Sequence, residues 1–199
     1  MAFLTGKEAE YVVRLARRSV EHFLERGELL RETPPCEKLK TRAGVFTTIN
    51  TFPAGHLRGC IGYPEPVKPL YQAVVETAVL AATDDPRFPP VAPEELDRVV
   101  FEVSILTPPK KLEARPEERH RHVEVGRHGI IVRRGRLSGL LLPQVAGEYG
   151  WDAETFLDHA CMKAGLPPGC WRSGDTDVFL FEAEVYGEVE PRGAVIRLL

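Results

Sequence analysis

The short links between apolar runs in the second half of the chain constrain its fold most. Val123-Glu124-Val125 and Ile130-Ile131-Val132 flank Gly126-Arg127-His128-Gly129, and Gly135 to Gly139 leads into Leu140-Leu141-Leu142. A parallel crossover needs about a dozen residues or more, so strands joined this closely pair antiparallel. The glycine-bearing links read as hairpin turns.

The first half adds helices. Thr5-Gly6-Lys7-Glu8 fits a capping box, and Ala9, Val12, Val13, Ala16, Val20, Phe23 and Leu24 then recur at helical spacing up to a stop at Gly27. Residues 28–43 read as a loop. Gly44 to Thr51 is rich in β-branched residues and predicts a strand. Pro69 can open a second helix through Leu70, Tyr71, Val74, Val75, Ala78, Val79 and Ala82, which ends before Pro86. A short helical turn follows at Pro93 to Leu96. Val99 to Leu106 predicts a strand with Phe101, Val103 and Ile105 facing the core. Asp152 opens a later helix, closed by Gly165; Val178 to Tyr186 is a late strand, and Val195 to Leu199 an edge strand. The expected class is α+β, with mainly antiparallel sheets flanked by helices.

At 199 residues the chain suits one compact domain or two lobes sharing a core. No apolar run approaches the roughly 20 residues of a membrane span. Met1 to Glu8 lacks the basic and apolar regions of a signal peptide, so a cytoplasmic location is expected. Cys36, Cys60, Cys161 and Cys170 form no Cys-x-x-Cys pair, no metal-ligand set is read, and reduced thiols are expected. Cys161 reads as a buried structural thiol and Cys170 as loop packing. His120 and His122 read as surface residues.

The net charge of −3 argues against a nucleic-acid-binding protein. The basic stretch from Lys110 to Arg136, with Arg115, Arg119, Arg121, Arg127, Arg133, Arg134 and Arg136, reads as a solvated face. Abundant arginine and proline, with Asn50 as the only asparagine, lean toward a thermophilic source.

The chemistry concentrates in Leu57-Arg58-Gly59-Cys60-Ile61-Gly62. In an extended strand His56, Arg58 and Cys60 would share one face, because side chains alternate. Arg58 beside the thiol would favour the thiolate, His56 could accept its proton, and Gly59 and Gly62 would let a ligand approach closely. Asp85 and Arg87, in the rigid loop Asp84-Asp85-Pro86-Arg87-Phe88-Pro89-Pro90, are supporting binding candidates. A second reading keeps Cys60 as a buried thiol, the glycines as a bulge or tight crossing, and Arg58 in an ion pair with Asp84 or Asp85. Nothing in these residues names a cofactor.

The hexapeptide resembles the signature of the AMMECR domain family, whose bacterial and archaeal members are called AmmeMemoRadiSam system protein A. The resemblance continues at Asp85-Pro86-Arg87-Phe88, Glu102 to Pro108, Gly129-Ile130, Leu141 to Val145 and Lys163 to Pro167. It implies a single two-lobed α+β domain over residues 1–199, with the signature near a crevice between lobes. It establishes no reaction. It implies either an enzyme acting on a small-molecule ligand, or a non-catalytic module partnering Memo-like or radical S-adenosylmethionine proteins.

Overall fold

Thr5 starts the first helix as the capping pattern requires. Its hydroxyl accepts the Glu8 N–H at 3.4 Å, and the Glu8 carboxylate accepts the Thr5 N–H at 2.7 Å. Helix α1 spans Gly6–Arg26 and ends at Gly27, whose φ of 73° is the left-handed conformation glycine adopts freely. The computed structural model describes residues 3–199, in two units. One is the chain up to Leu106 with Glu184–Leu199; the other is Thr107–Ala183. Met1 and Ala2, at the head of the segment read as lacking a signal peptide, lie outside the described residues.

In the first unit, β1 (Gly44–Thr51) pairs antiparallel with β2 (Leu57–Tyr63) on one side and β3 (Val99–Leu106) on the other. The last residues of β7 (Asp177–Glu188) follow β3, and β8 (Val195–Arg197) pairs with them. β2 therefore ends the row. Alternate residues Val45, Ile49, Phe101, Val103 and Ile105 join the buried core with Val12, Val13 and Leu15 of α1 and Val74, Ala78 and Ala81 of α2 (Leu70–Thr83). Pro69 caps α2 rather than opening it.

Two contacts tie the helices to the sheet. A Cβ at Gly59 would lie 2.0 Å from the Ala81 carbonyl oxygen, so α2 crosses β2 where the strand has no side chain. Arg17, 3% exposed, donates to Glu188 at 2.8 Å and to the Leu96 and Val99 carbonyls at 2.9 and 2.7 Å. A buried charge is tolerated when its donors are met in this way.

In the second unit, β5 (His128–Arg134) pairs antiparallel with β6 (Leu137–Leu141) and with the first part of β7, whose opposite edge takes β4 (Lys110–Lys111). Helix α3 (Pro143–Tyr149) and helix α4 (Ala153–Lys163) follow. Asp152 caps α4 through the Thr155 N–H at 2.8 Å. Phe156, Leu157, Ala160, Trp171, Ile130, Val132 and Val178 form a separate core.

Several expectations are corrected here. Val123 to Val125 is not a strand. The Glu124 N–H donates to His128 Nδ1, and the Glu124 carbonyl accepts from Arg127 and His128, so the segment closes on itself as a turn. The hairpin turns at Gly135-Arg136 instead, and β6 starts earlier than expected. Helix α3, whose only local signal is a proline start, is not among the expected elements. Cys161 and Cys170 are not free thiols but a disulfide, with Cα atoms 6.0 Å apart. The arginines from 119 to 134 are largely engaged: Arg121 with Glu118, Arg127 with Glu124 and Glu182, Arg134 with Asp175, and Arg119 is buried against the Trp171 and Ser173 carbonyls.

Gly59→Ala is expected to lower unfolding stability by about 3 kcal/mol, the upper end of overpacking costs, because the opposing atom is backbone; urea denaturation checks this, and an unchanged midpoint would contradict the crossing. In guanidinium without reductant, Ellman's reagent should count two thiols, and four after reduction.

Candidate functional site

β2 carries most of the hexapeptide, and its register with β1 decides where each side chain goes. Tyr63 to Gly59 pair one for one with Val45 to Ile49, but the next pair is Asn50 with Leu57. Arg58 is thus the extra residue of a bulge, which breaks the alternation. The expectation that His56, Arg58 and Cys60 share a face is corrected accordingly. Arg58 forks onto Glu95 at 3.0 and 2.9 Å and donates to the Pro89 and Pro90 carbonyls. Its carboxylate partner is neither Asp84 nor Asp85. This ion pair holds the Glu95 carboxyl below its ordinary range. His56 lies exposed in the turn before β2, where its N–H donates to Thr51 Oγ1 and its carbonyl accepts from Thr51.

Asp85 and Arg87, in contrast, meet Cys60 directly. The outward edge of β2 has no neighbouring strand, and the Cys60 N–H donates to Asp85 Oδ2 at 2.9 Å. Arg87 Nη2 approaches the Cys60 carbonyl at 3.4 Å. The same guanidinium grips Asp85, with Nε on Oδ1 at 2.9 Å and Nη2 on Oδ2 at 2.7 Å. Asp85 is 3% exposed, whereas the Arg87 side chain is 54% exposed. The Arg87 guanidinium first, then the backbone N–H groups of Cys60 and Arg87, hold the Asp85 carboxyl well below the usual carboxylate range against the cost of burial.

Because the Cys60 N–H faces Asp85, Thr48 and Cys60 sit opposite each other at a non-hydrogen-bonded pair, where side chains approach closely. Thr48 Oγ1 donates to the Cys60 sulfur at 3.4 Å. Glu102 lies across β1 opposite Thr48, so Cys60, Thr48 and Glu102 form one row on the face turned from α2. Burial pushes the half-buried thiol above its ordinary range, opposed by the Thr48 hydroxyl and the Arg87 charge. The cation that acts on Cys60 is therefore Arg87 rather than Arg58. The sequence signal for it was Asp85-Pro86-Arg87, a proline-stiffened loop. Gly59 and Gly62 have packing roles: Gly59 lies under α2, and Gly62 under the Phe46 ring. No cluster of three metal-ligating side chains occurs among the described residues.

The AMMECR1 family model matches residues 13–186, and the chain belongs to this family. A protein of Methanopyrus kandleri is 56% identical over 194 residues, covering 96% of this chain and 94% of the relative. One of Methanocaldococcus jannaschii is 48% identical over 197 residues, covering 98% of each. The crystal structure of an uncharacterized protein from Pyrococcus horikoshii superposes with a TM-score of 0.94 at 48% identity, over 98% of both chains. These relatives come from thermophilic archaea. No helix among the described residues is long and apolar enough to cross a membrane.

Asp85→Asn is expected to cost about 2 kcal/mol at pH 7, less than a fully buried pair because Arg87 is half exposed. The carboxyl's folded pKa is depressed, so its stabilisation is full above the unfolded value and fades as pH falls through the folded one. Wild-type stability should therefore drop below about pH 4, where unfolded aspartate titrates, and the variant should lose part of that slope in acid denaturation.

Proposed function

We propose that this chain is an enzyme acting on a small anionic substrate, with the Cys60 thiol as the reacting group and Arg87 as the cation that meets the substrate's charge. One observation supports this above the rest: a single carboxylate, Asp85, holds both the Cys60 backbone and the Arg87 guanidinium. Arg87 Nη1 makes no hydrogen bond among the described residues, so a donor remains for a ligand. A guanidinium suits a carboxylate or phosphate because its donors are planar and forked. The Thr48 hydroxyl favours the thiolate once the proton has left. The resting group is a thiol, so its reactivity is conditional on what binds beside it. A general base is not assigned, since His56 sits in the turn.

A second reading draws support from Arg58. Its guanidinium is taken up by Glu95 and two prolyl carbonyls, which makes that part of the motif a clasp. On this reading the chain is a non-catalytic module for a protein partner of the Memo-like or radical S-adenosylmethionine type, located in the cytoplasm.

Charge-matched alkylation tests the first reading, because Cys60 and Cys36 are the two free thiols. Iodoacetate should be favoured over iodoacetamide at Cys60 relative to Cys36, by about tenfold for about 1.4 kcal/mol of charge attraction, and Arg87→Gln should abolish the preference. The Cys60 rate should climb with pH along a midpoint above that of an ordinary thiol. No charge preference, or one that survives Arg87→Gln, would contradict the substrate class. Stoichiometric recovery of a protein partner that is unaffected by Cys60→Ser would favour the module.

A further inference from the structure

One face of the sheet in the second unit is apolar, and a groove opens where that face runs on past its core. The register places Leu180 between Ile130 and Lys110, and Glu182 beside His128. The Leu112 N–H donates to the Val178 carbonyl at 2.8 Å, which continues the pairing of β4 with β7. Paired residues project to the same side of a sheet, as do residues two apart on one strand. Ile130, Val132 and Val178 belong to the core, with Leu112 and Leu180 packed against them. Lys110, His128 and Glu182 therefore stand on the core side of the sheet, at its end. A groove of 640 Å³ lies there, lined by Pro108, Lys110, Leu112, His128, Leu180 and Glu182 among others. That volume is in the range of small-molecule sites, about 300–1,000 Å³.

The charged groups along this groove are not equivalent. Lys111 pairs with Asp177 at 2.9 Å, and Glu182 accepts Arg127 Nε and Nη2 at 3.1 and 2.9 Å. Lys110 has no hydrogen bond or ion pair among the described residues. His128 adds a neutral donor. Its Nδ1 accepts the Glu124 N–H at 3.0 Å, so the neutral ring carries its proton on Nε2, which has no partner among the described residues. Two half-buried leucines, one ammonium without a carboxylate and one ring N–H complement a single negative charge on a hydrocarbon body. A phosphate is matched best by a forked guanidinium, and the one nearby, Arg127, is taken by Glu124 and Glu182.

We propose that this groove binds an amphipathic monocarboxylate, an alkyl acid whose carboxylate meets the Lys110 ammonium and the His128 Nε2–H and whose chain lies on Leu112 and Leu180. Burial of the chain supplies most of the affinity, and Lys110 sets the sign of the charge that is accepted. The site belongs to the second unit alone and does not rest on the reading of Cys60.

An amide-resolved NMR titration of the full chain tests this, with octanoate as the probe and acetate and octylammonium as its controls. Octanoate should bind saturably, and the shifted amides should be those of residues 107–112, 128 and 180–182. Acetate keeps the charge without the chain, and octylammonium keeps the chain with the opposite charge. Each should bind more weakly than octanoate by about fivefold or more, the upper end for one exposed charge pair. Lys110 is exposed, so Lys110→Gln should leave the fold intact. This variant should bind octanoate about fivefold more weakly and lose most of the preference over octylammonium. The absence of saturable shifts at these residues overturns the proposal. So does octylammonium binding as tightly as octanoate, or an octanoate affinity unmoved by Lys110→Gln.

Discussion

A strand at the end of a sheet leaves N–H and C=O groups pointing at nothing, and β2 solves this at Cys60 with a side chain. The Asp85 carboxylate takes the Cys60 N–H and, from Arg87, the backbone N–H, Nε and Nη2: four donors on one buried group. A carboxylate so provided is stable as an anion despite burial. The Cys60 backbone is thereby held on its outward side, where its N–H meets Asp85 and its carbonyl meets Arg87, while β2 pairs with β1 along the other side. The attitude of Arg87 and the setting of the Cys60 backbone both follow from that one group.

The two glycines of the hexapeptide complete the picture from opposite faces. At Gly59 a helix carbonyl occupies the space a methyl group would need, and at Gly62 an aromatic ring does. The strand is clamped between a helix above and a ring below. Residues whose type suggested an open approach for a ligand turn out to serve close packing of the chain on itself.

Local signals were legible in the sequence, and long-range ones were not. The α1 cap, its glycine stop, the Asp152 cap and the strands from Gly44 and Val99 involve residues a few positions apart, so spacing alone discloses them. The partner of Arg58 is 37 positions away, and the bulge that aims it depends on how the β1–β2 turn closes. Neither leaves a mark in the hexapeptide. Asp85-Pro86-Arg87 was recognisable as rigid, yet its grip on the Cys60 backbone arises only once β2 becomes the sheet edge. The turn at Glu124 defeated a strand reading because one histidine nitrogen outcompetes a ladder bond. The disulfide overturns the expectation of reduced thiols, a rule of compartment that leaves no mark in the spacing of the four cysteines.

The closure of β2 also bears on neighbouring molecules. An open strand edge is a template on which a second chain can add its own strand, and sheets that grow in this way end as aggregates. Asp85 and Arg87 occupy the hydrogen-bonding positions such an intruder would need at Cys60, and Pro86 between them has no N–H with which to extend the pairing. The loop that holds the Cys60 backbone therefore also works as a stopper, so a change at Asp85 or Arg87 would open this edge to a neighbouring chain as well as loosen the strand.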